Sequence, residues 1–264
     1  MLKKYVKLYI KFVAQYLKVL MEYRLDFFIG LLGFLVTQGV GIIFIFIIFE
    51  QIPSLNGWSF NEILFIYAFS QLPRGLDHLL TDNLWLLSGR IIARGEFDKY
   101  LLKPINPLFH LLAERFQPDA IGELIVGVML IVYSTINIGM SFSFLDILLL
   151  LLMIICGAVI YTSIKLFFAS LAFWIKNSQS ILWVNYSLSD FSKYPISIYG
   201  KTIRIIITLV IPFAFTAYFP AAYFVHKEGI YVAIGGTVLA SILTFSVAYY
   251  TWCKGISVYE SAGN

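Results

Sequence analysis

Charged side chains are scarce in this sequence, and several long stretches have none. Only 13% of the 264 residues are Asp, Glu, Lys or Arg, and 60% are hydrophobic, whereas about a quarter of the residues of a soluble domain are charged. The clearest uncharged stretch covers residues 27–49. As a helix it is long enough to cross a hydrocarbon core about 30 Å thick. The sequence therefore predicts an integral membrane protein.

Cysteine is rare, and the two cysteines fit no metal-binding or disulfide pattern. Cys156 and Cys253 both lie in apolar stretches, far apart in the sequence. Metal sites and disulfide frameworks need several ligands at fixed spacings. We therefore predict no metal site and interpret both thiols as small buried hydrophobic groups.

A complete catalytic or nucleotide-binding motif is also missing. Residues 200–202, GKT, match the end of a phosphate-binding loop, but that loop needs a glycine five residues earlier, where Pro195 stands. Residues 87–90, LSGR, match only a fragment of a nucleotide-binding signature, and the three histidines are scattered without catalytic or metal-ligand spacing. These absences predict a chain that has no catalytic residues, binds no cofactor itself and does not hydrolyse ATP on its own.

Residues 1–26 are amphipathic rather than uniformly apolar. On a helical projection Lys4, Lys7, Lys11 and Lys18 share one face, and apolar side chains fill the opposite one. This pattern is typical of a helix that lies in the membrane interface with its lysines toward anionic headgroups. The alternative is a helix packed on a soluble domain, but the sequence contains no such domain.

The remaining residues, 27–264, are predicted to form a domain of six membrane spans, so the fold class is an all-α polytopic membrane protein. The predicted spans are residues 27–49, 63–86, 121–139, 145–174, a fifth that opens at residue 202, and 230–252. Ser59 and Glu62 form a capping box that starts the second span. Pro212 and Pro220 interrupt the fifth, so its second half is predicted to fold back as short re-entrant helices at the outer surface.

Positive charge is spread unevenly over the loops of this topology. With the N-terminus inside, sixteen of the nineteen Lys and Arg residues fall in cytoplasmic segments, namely residues 1–26, 87–120 and 175–204 and Lys254. An excess of Lys and Arg marks the cytoplasmic side of membrane proteins. Both termini are therefore predicted to be cytoplasmic.

Ionisable side chains inside the predicted spans are candidate functional residues, because placing them in a membrane is costly. They are Arg74, Asp77, His78 and Asp82 in the second span, Glu123 in the third and Lys165 in the fourth. The four in the second span have helical spacing, so they form one stripe that must face protein or water. Glu123 and Lys165 either pair with each other or extend separately to the inner interface.

Residues 95–107, GEFDKYLLKPINP, differ from their apolar surroundings. Gly95 is expected to end one helix, and Pro104 and Pro107 to close a short new one. Phe97, Tyr100 and Leu101 recur at helical spacing and would give this helix a compact apolar face. Such a helix is suited to docking on another protein; the alternative is an ordinary surface loop.

Together with residues 255–264, GISVYESAGN, this stretch resembles the membrane subunits of type-2 ABC (ATP-binding cassette) exporters, especially a branch with G-E-F-D-x-x-L-L-K-P-x-N-P after its second span. The resemblance covers the whole chain. It implies a coupling helix at about residues 94–103 that docks on a separate ATPase, a further ATPase contact from residues 1–22, and an outer gate at Pro212 and Pro220. The coupling residues would be Gly95, Glu96, Phe97, Asp98, Tyr100, Leu101, Leu102 and Pro104.

The resemblance also implies a function: a permease subunit of an ATP-driven exporter in a bacterial cell membrane. Two permease chains, alike or different, would work with two ATPase subunits that hold the ATP and Mg²⁺, and no nucleic acid is expected as a partner. The 24 Phe and 17 Tyr residues favour a hydrophobic or amphipathic substrate such as a drug, a peptide or a lipid. The polar intramembrane residues would line the pathway or the seam between permeases. Two other functions stay open: a proton-coupled secondary carrier that uses those residues, and a scaffold that transports nothing.

Overall fold

All regular structure in the computed structural model, which describes residues 2–22, 24–225 and 227–261, is helical apart from one isolated bridge between Leu55 and Trp58. The helices are α1 Leu2–Glu22, α2 Arg24–Gln51, α3 Phe60–Thr81, α4 Asn83–Leu86, α5 Asp98–Leu101, α6 Pro107–Ala113, α7 Ala120–Ile138, α8 Phe144–Ser170, α9 Ala172–Ile175, α10 Gln179–Ser187, α11 Lys201–Ile205, α12 Tyr218–Phe224 and α13 Gly236–Ser257. Wider π-helical turns extend α4 and α11 and precede α13. The all-α prediction is confirmed for these ranges. Tyr23, His226 and the last three residues of the C-terminal motif lie outside them.

Four of the described helices are long and apolar enough to cross a membrane. They are Phe27–Gln51, Ala120–Ile138, Phe144–Ile175 and Tyr231–Ser257, and a bent pair, Lys201–Val210 with Phe213–Phe224, passes the same test as a unit. A polytopic membrane protein is therefore confirmed, while six spans stay a prediction. The helix α3 falls outside the set because its second half is the polar stripe.

The helix α3 lies at the centre of the bundle. Its capping box forms as predicted, since Glu62 accepts a hydrogen bond from the Ser59 amide at 2.8 Å and the Ser59 hydroxyl accepts one from the Glu62 amide. The residues from Ile63 to Leu72 are all buried. A close approach of α7 explains part of this burial: a Cβ atom at Gly127 would stand 2.7 Å from the Leu72 side chain and 3.2 Å from the Ala68 carbonyl.

The bundle has two ends, defined by two loops. The loop end contains residues 52–59, between α2 and α3, and the tip end contains residues 95–107. The amphipathic helix α1 lies at the tip end, where the Tyr5 and Phe109 rings are 4.7 Å apart. Its lysines at 4, 7 and 11 are exposed, and its apolar Val6 and Ile10 are exposed as well, as expected for a helix that lies on a membrane.

Residues 179–199 run from the tip end to the loop end, which corrects the predicted cytoplasmic loop at 175–204. The Ser178 amide donates to the Ser88 carbonyl at 2.8 Å, and the Asn56 side chain donates to the Ser197 carbonyl at 3.2 Å. Asp190 and Lys193 interrupt the apolar pattern, so the sequence did not show that this segment runs along the bundle. The structure pairs them with each other at 2.7 Å.

The orientation prediction changes in its count but not in its direction. Lys193, Lys201 and Arg204 leave the cytoplasmic set, because the first lies between the two ends and the other two follow Ser197 at the loop end. Sixteen minus three leaves thirteen of the nineteen basic residues on the tip side. The tip end therefore remains the basic end of the bundle.

The bent pair is a hairpin and not the fifth span that the proline pattern predicted. It begins beside Ser197 and ends before Lys227, whose Nζ donates to the Gly57 carbonyl at 2.6 Å, so both of its ends lie at the loop end. The helix axis bends by 72° between its two halves. The bend lies at Pro212, which lacks an amide hydrogen.

Two smaller expectations about single residues were wrong. Pro220 breaks no helix, because it lies in the first turn of α12, where a missing amide hydrogen removes no helical bond. Cys253 is exposed on α13 rather than buried, whereas Cys156 is half-buried.

Candidate functional site

A buried ion pair between α3 and α8 forms the centre of the candidate site. Lys165 Nζ lies 2.7 Å from Asp77 Oδ2, and neither side chain is exposed at all. The hydroxyls of Thr81 and Thr162 donate to Asp77 Oδ1 at 2.6 and 2.9 Å. These bonds are what allow a charged pair to be buried, since a charge without partners in a low-dielectric interior is strongly destabilising. The polar stripe of α3 thus faces protein here, as predicted.

Neither interpretation of Glu123 and Lys165 was right. Lys165 pairs with Asp77 instead of Glu123, and both residues are buried rather than extended to an interface. Glu123 Oε1 lies 3.1 Å from His78 Nδ1. The reason is that α3 lies between α7 and α8, so each of those helices presents its ionisable residue to the stripe and not to the other.

Tyr186, on α10, joins these two pairs into one network. Its hydroxyl donates to Asp77 Oδ2 at 2.9 Å and lies 2.9 Å from His78 Nε2. Its ring also packs beside Tyr161 and Phe213, with centroid distances of 5.7 and 6.4 Å, and Phe213 lies at the bend of the hairpin. No sequence pattern pointed to Tyr186, because tyrosine is common in this chain and the path of residues 179–199 along the bundle was not predicted.

The other residues of the stripe belong to separate pairs. Arg74 NH1 lies 3.1 Å from Asp190 Oδ1, which also binds Lys193. Asp82 Oδ2 lies 3.2 Å from Arg115 Nε toward the tip end. The four residues of the stripe therefore make four pairings, and only the two in the middle, at Asp77 and His78, form the buried network.

The tip end holds the second candidate site, the tip segment at residues 95–107. Gly95 has φ +69°, a left-handed conformation that glycine adopts without steric cost, and α5 follows it. Pro107 begins α6 instead of closing α5, because Asn106 caps that new helix by accepting a hydrogen bond from the Phe109 amide. The helix in the tip segment is thus one turn long, shorter than the predicted 94–103.

The apolar face predicted for docking points mainly into the chain itself. Phe97 and Tyr100 have no exposed surface. The Phe97 ring lies 5.1 Å from the ring of Phe173, 5.8 Å from Trp252 and 5.1 Å from Tyr259. We call these four rings the aromatic anchor. It exists because α9, α13 and the C-terminal segment offer an apolar surface that the sequence pattern could not show.

The exposed part of the tip segment is its second half. Leu101 is 43% and Leu102 is 83% exposed, and Lys103 and Pro104 are exposed as well. We call residues 101–104 the exposed tip. Leu102 is the most exposed apolar side chain of this half and lies one position beyond the predicted apolar face.

Polar contacts fix the rest of the tip segment. Tyr100 donates a hydrogen bond to Glu114, and Lys99 Nζ lies 2.7 Å from the same carboxylate. Burial would raise the pKa of the Glu114 carboxyl, but the hydrogen bonds from Lys99 and Tyr100 lower it below its usual range. Asp98 accepts a hydrogen bond from Ser261. The two sequence motifs that carried the resemblance therefore contact one another.

An apolar cavity of about 510 Å³ lies between α8, the hairpin and α13. Its wall includes Phe167, Phe168, Phe215, Leu239 and Leu243, and none of the described residues that line it is charged. Thr208 Oγ1 in the same wall has no hydrogen-bond partner among the described residues. The volume lies within the range of small-molecule sites, about 300–1,000 Å³.

Comparison with known proteins gives one match. A family model described as "ABC-2 family transporter protein" matches residues 35–263. No curated protein and no solved structure matches the chain.

Proposed function

Since the chain belongs to the ABC-2 family of transporter proteins and is a membrane permease component of an ABC transporter, we propose that it couples ATP hydrolysis on separate ATPase subunits to the export of a hydrophobic or amphipathic substrate. The membrane is a bacterial cell membrane, with the tip end and both termini on the cytoplasmic side. The observation that carries the proposal is the exposed tip, a short apolar surface held rigidly at the basic end of the bundle.

The contacts at the two ends of the bundle support six crossings of the membrane. They are α2, α3 with α4, α7, α8, residues 179–199 and α13. The hairpin enters from the outer surface and returns to it, so Pro212 and Pro220 belong to the outer gate. This arrangement places the candidate network about midway between the two ends.

Force from the ATPase would reach the membrane through the aromatic anchor. The exposed tip docks on the ATPase, and Phe97, five positions before Leu102, packs on α9 and α13. A displacement of the docked tip is therefore transmitted to two elements of the bundle by direct packing, because close-packed side chains cannot yield independently. Residues 1–22 contact the same region through Tyr5 and Phe109.

The substrate class is supported by the apolar cavity beneath the hairpin. Its wall favours molecules with a large apolar surface, and the hairpin that covers it is also the proposed outer gate. A second permease chain, identical or similar, completes the pathway on the other side.

A proton-coupled secondary carrier is the second candidate, favoured by the buried network of Asp77, Lys165, His78 and Glu123. Transport by such a carrier would persist in vesicles without ATP and would fail in the Glu123→Gln variant. Transport by the exporter would stop when ATP is removed, whatever the proton gradient. The two functions are thus separated by one assay in inverted membrane vesicles.

The docking proposal is tested by purifying the tagged full chain from its native membrane in mild detergent. An ATPase of the ABC class should co-purify with the wild type and be lost from Leu102→Asp, because the charge replaces the most exposed apolar group of the tip. Asn106→Asp is the matched control: it adds the same charge nearby, and Asp caps a helix as well as Asn does. Phe97→Asp would be uninformative, since Phe97 is buried.

Retention of the ATPase by Leu102→Asp would contradict the proposed docking surface. Absence of any ATPase from the wild-type preparation would contradict the exporter and favour the carrier.

A further inference from the structure

Hydrogen-bond accounting in the buried network shows that Tyr186 lacks a proton for one of its two contacts. A tyrosine hydroxyl has a single hydrogen to donate. Tyr186 donates it to Asp77 Oδ2 at 2.9 Å, and His78 Nε2 lies 2.9 Å from the same hydroxyl oxygen. The hydrogen in the second contact must therefore come from His78, so Nε2 is protonated.

The other ring nitrogen of His78 then faces a carboxylate. A neutral imidazole with its hydrogen on Nε2 has only a lone pair on Nδ1, and Nδ1 lies 3.1 Å from Glu123 Oε1. Two acceptors at this distance repel each other unless a further proton lies between them. The proton makes either an imidazolium at His78 or a carboxylic acid at Glu123. We propose that His78 and Glu123 form a binding site for one exchangeable proton, and that this proton keeps Tyr186 bonded to Asp77.

The surrounding charges oppose this proton and make its release possible. Asp77 and Lys165 neutralise one another. Arg74, on α3, and Lys193, from the turn after α10, share the single carboxylate of Asp190, so one positive charge remains. Both interact electrostatically with Glu123.

The remaining groups around the pair are two further tyrosines, Tyr67 and Tyr161, and one more ion pair; Tyr67, on α3, interacts electrostatically with Glu123. Tyr161, on α8, packs beside Tyr186, and Asp82 and Arg115 pair with each other farther along α3. Neither set changes the charge balance. Hydrogen bonding therefore favours the bound proton, the surplus positive charge favours its loss, and a site that binds and releases a proton needs both effects.

Release of the proton changes the bonds of Tyr186. The proton leaves to water past His78, whose side chain is 21% exposed. The remaining imidazole hydrogen then lies on Nδ1 and is donated to Glu123, and the Tyr186 hydroxyl turns to donate to Nε2. The bound state has three hydrogens: one on Tyr186, one on His78 Nε2 and one between His78 Nδ1 and Glu123. The released state has two, one on Tyr186 and one on Nδ1. One proton is therefore released, and no other group changes its protonation. Asp77 loses the bond that joined it to α10.

The consequence reaches the hairpin. The Tyr186 ring contacts the ring of Phe213, which lies at the bend of the hairpin. Proton release thus loosens residues 179–199 from α3 at the point on which the hairpin rests. The inference does not depend on the proposed export function, because it concerns only bonds within this chain.

The test follows the tautomer of His78 in the full chain. The wild-type protein, with ¹⁵N-labelled histidine, is placed in lipid nanodiscs, and the ring nitrogens are observed by NMR between about pH 5 and pH 9. The His78 signals are identified by their loss in His78→Gln. We expect Nε2 to carry a hydrogen at low pH and the hydrogen to lie on Nδ1 at high pH. A tautomer that stays the same over this range would overturn the proposal.

Glu123→Gln supplies the decisive variant. The amide of Gln can donate to Nδ1 without an added proton, so His78 should keep its hydrogen on Nε2 at every pH, and the transition should disappear. Glu62→Gln is the control, because Glu62 pairs with Lys227 at the opposite end of α3. In this variant the His78 tautomer transition should match that of the wild type. A Glu123→Gln protein that titrates like the wild type would refute the site. The wild-type titration decides the question alone if the variant does not fold.

Discussion

Phe97 and Leu102 lie five positions apart in one motif and have opposite environments. Phe97 is enclosed by three other rings, while Leu102 is 83% exposed. Both are apolar and both belong to the predicted docking helix, so the pattern alone could not separate them. The separation depends on α9, α13 and the C-terminal segment, which are distant in sequence.

Substitution by alanine should distinguish the two roles. Phe97→Ala is expected to lower the free energy of unfolding of the full chain by about 3–5 kcal/mol, because it leaves a cavity within the aromatic anchor. Leu102→Ala should change it by less than about 0.5 kcal/mol. Thermal unfolding of the purified proteins in the same detergent measures both. Equal losses of stability would mean that Phe97 is not enclosed.

The buried network also shows which properties of single residues the sequence pattern cannot predict. The sequence identified Asp77, His78, Glu123 and Lys165 as buried ionisable groups, because each interrupts an apolar stretch. It could not assign their partners, since pairing depends on which helix lies between the others. Thr162 and Tyr186 complete the network, yet uncharged polar residues in a span carry no such signal.

Among the helices, the contact of α3 with α7 depends on small residues, and Gly127 is one of them. Gly127 leaves no room for a side chain, as the Leu72 methyl group and the Ala68 carbonyl would meet its Cβ. Gly33, in α2, has nothing within 4 Å of the same position. The two glycines therefore form a matched pair for a packing test.

Gly127→Val is expected to destabilise the chain by about 1–3 kcal/mol, because the added atoms push α7 away from α3. Gly33→Val should have little effect, since its side chain would extend into open space and the change in helix propensity is the same. Thermal unfolding in one detergent, with gel filtration to check the folded state, compares the two variants. A milder effect at Gly127 than at Gly33 would contradict the close approach.

Long apolar helices were predictable, and interrupted ones were not. The helices α2, α7, α8 and α13 match the predicted spans closely because their hydrophobic runs are continuous. The path of residues 179–199 along the bundle was missed because this segment consists of a nine-residue helix followed by 3₁₀ turns. Its charged residues Asp190 and Lys193 pair with each other, and Asp190 also pairs with Arg74 of α3. The hairpin was recognised as irregular from Pro212, but its course depended on knowing where its neighbours lie.

For the whole molecule, Asn56 and Lys201 lie at the same end of the bundle, and the proposed topology puts both on the outer side of the membrane. Single cysteines at positions 56, 201 and 103, in a chain with Cys156→Ser and Cys253→Ser, would be treated with a membrane-impermeant maleimide on intact cells. Positions 56 and 201 should be labelled from outside, and position 103, in the exposed tip, should react only after the cells are opened. Protection of position 201 together with labelling of position 56 would mean that residues 175–204 form a cytoplasmic loop, as the sequence predicted.

The aromatic anchor also sets an order for biosynthesis. Phe97 is made early, but Trp252 and Tyr259 leave the ribosome near the end, and Ser261 contacts Asp98 across 163 positions of chain. Until α13 is inserted, Phe97 has no closed pocket, and the exposed tip has no fixed orientation. With the proposed docking surface, an incompletely inserted chain could not present a fixed tip to an ATPase, so assembly with the ATPase subunit would follow completion of the membrane domain.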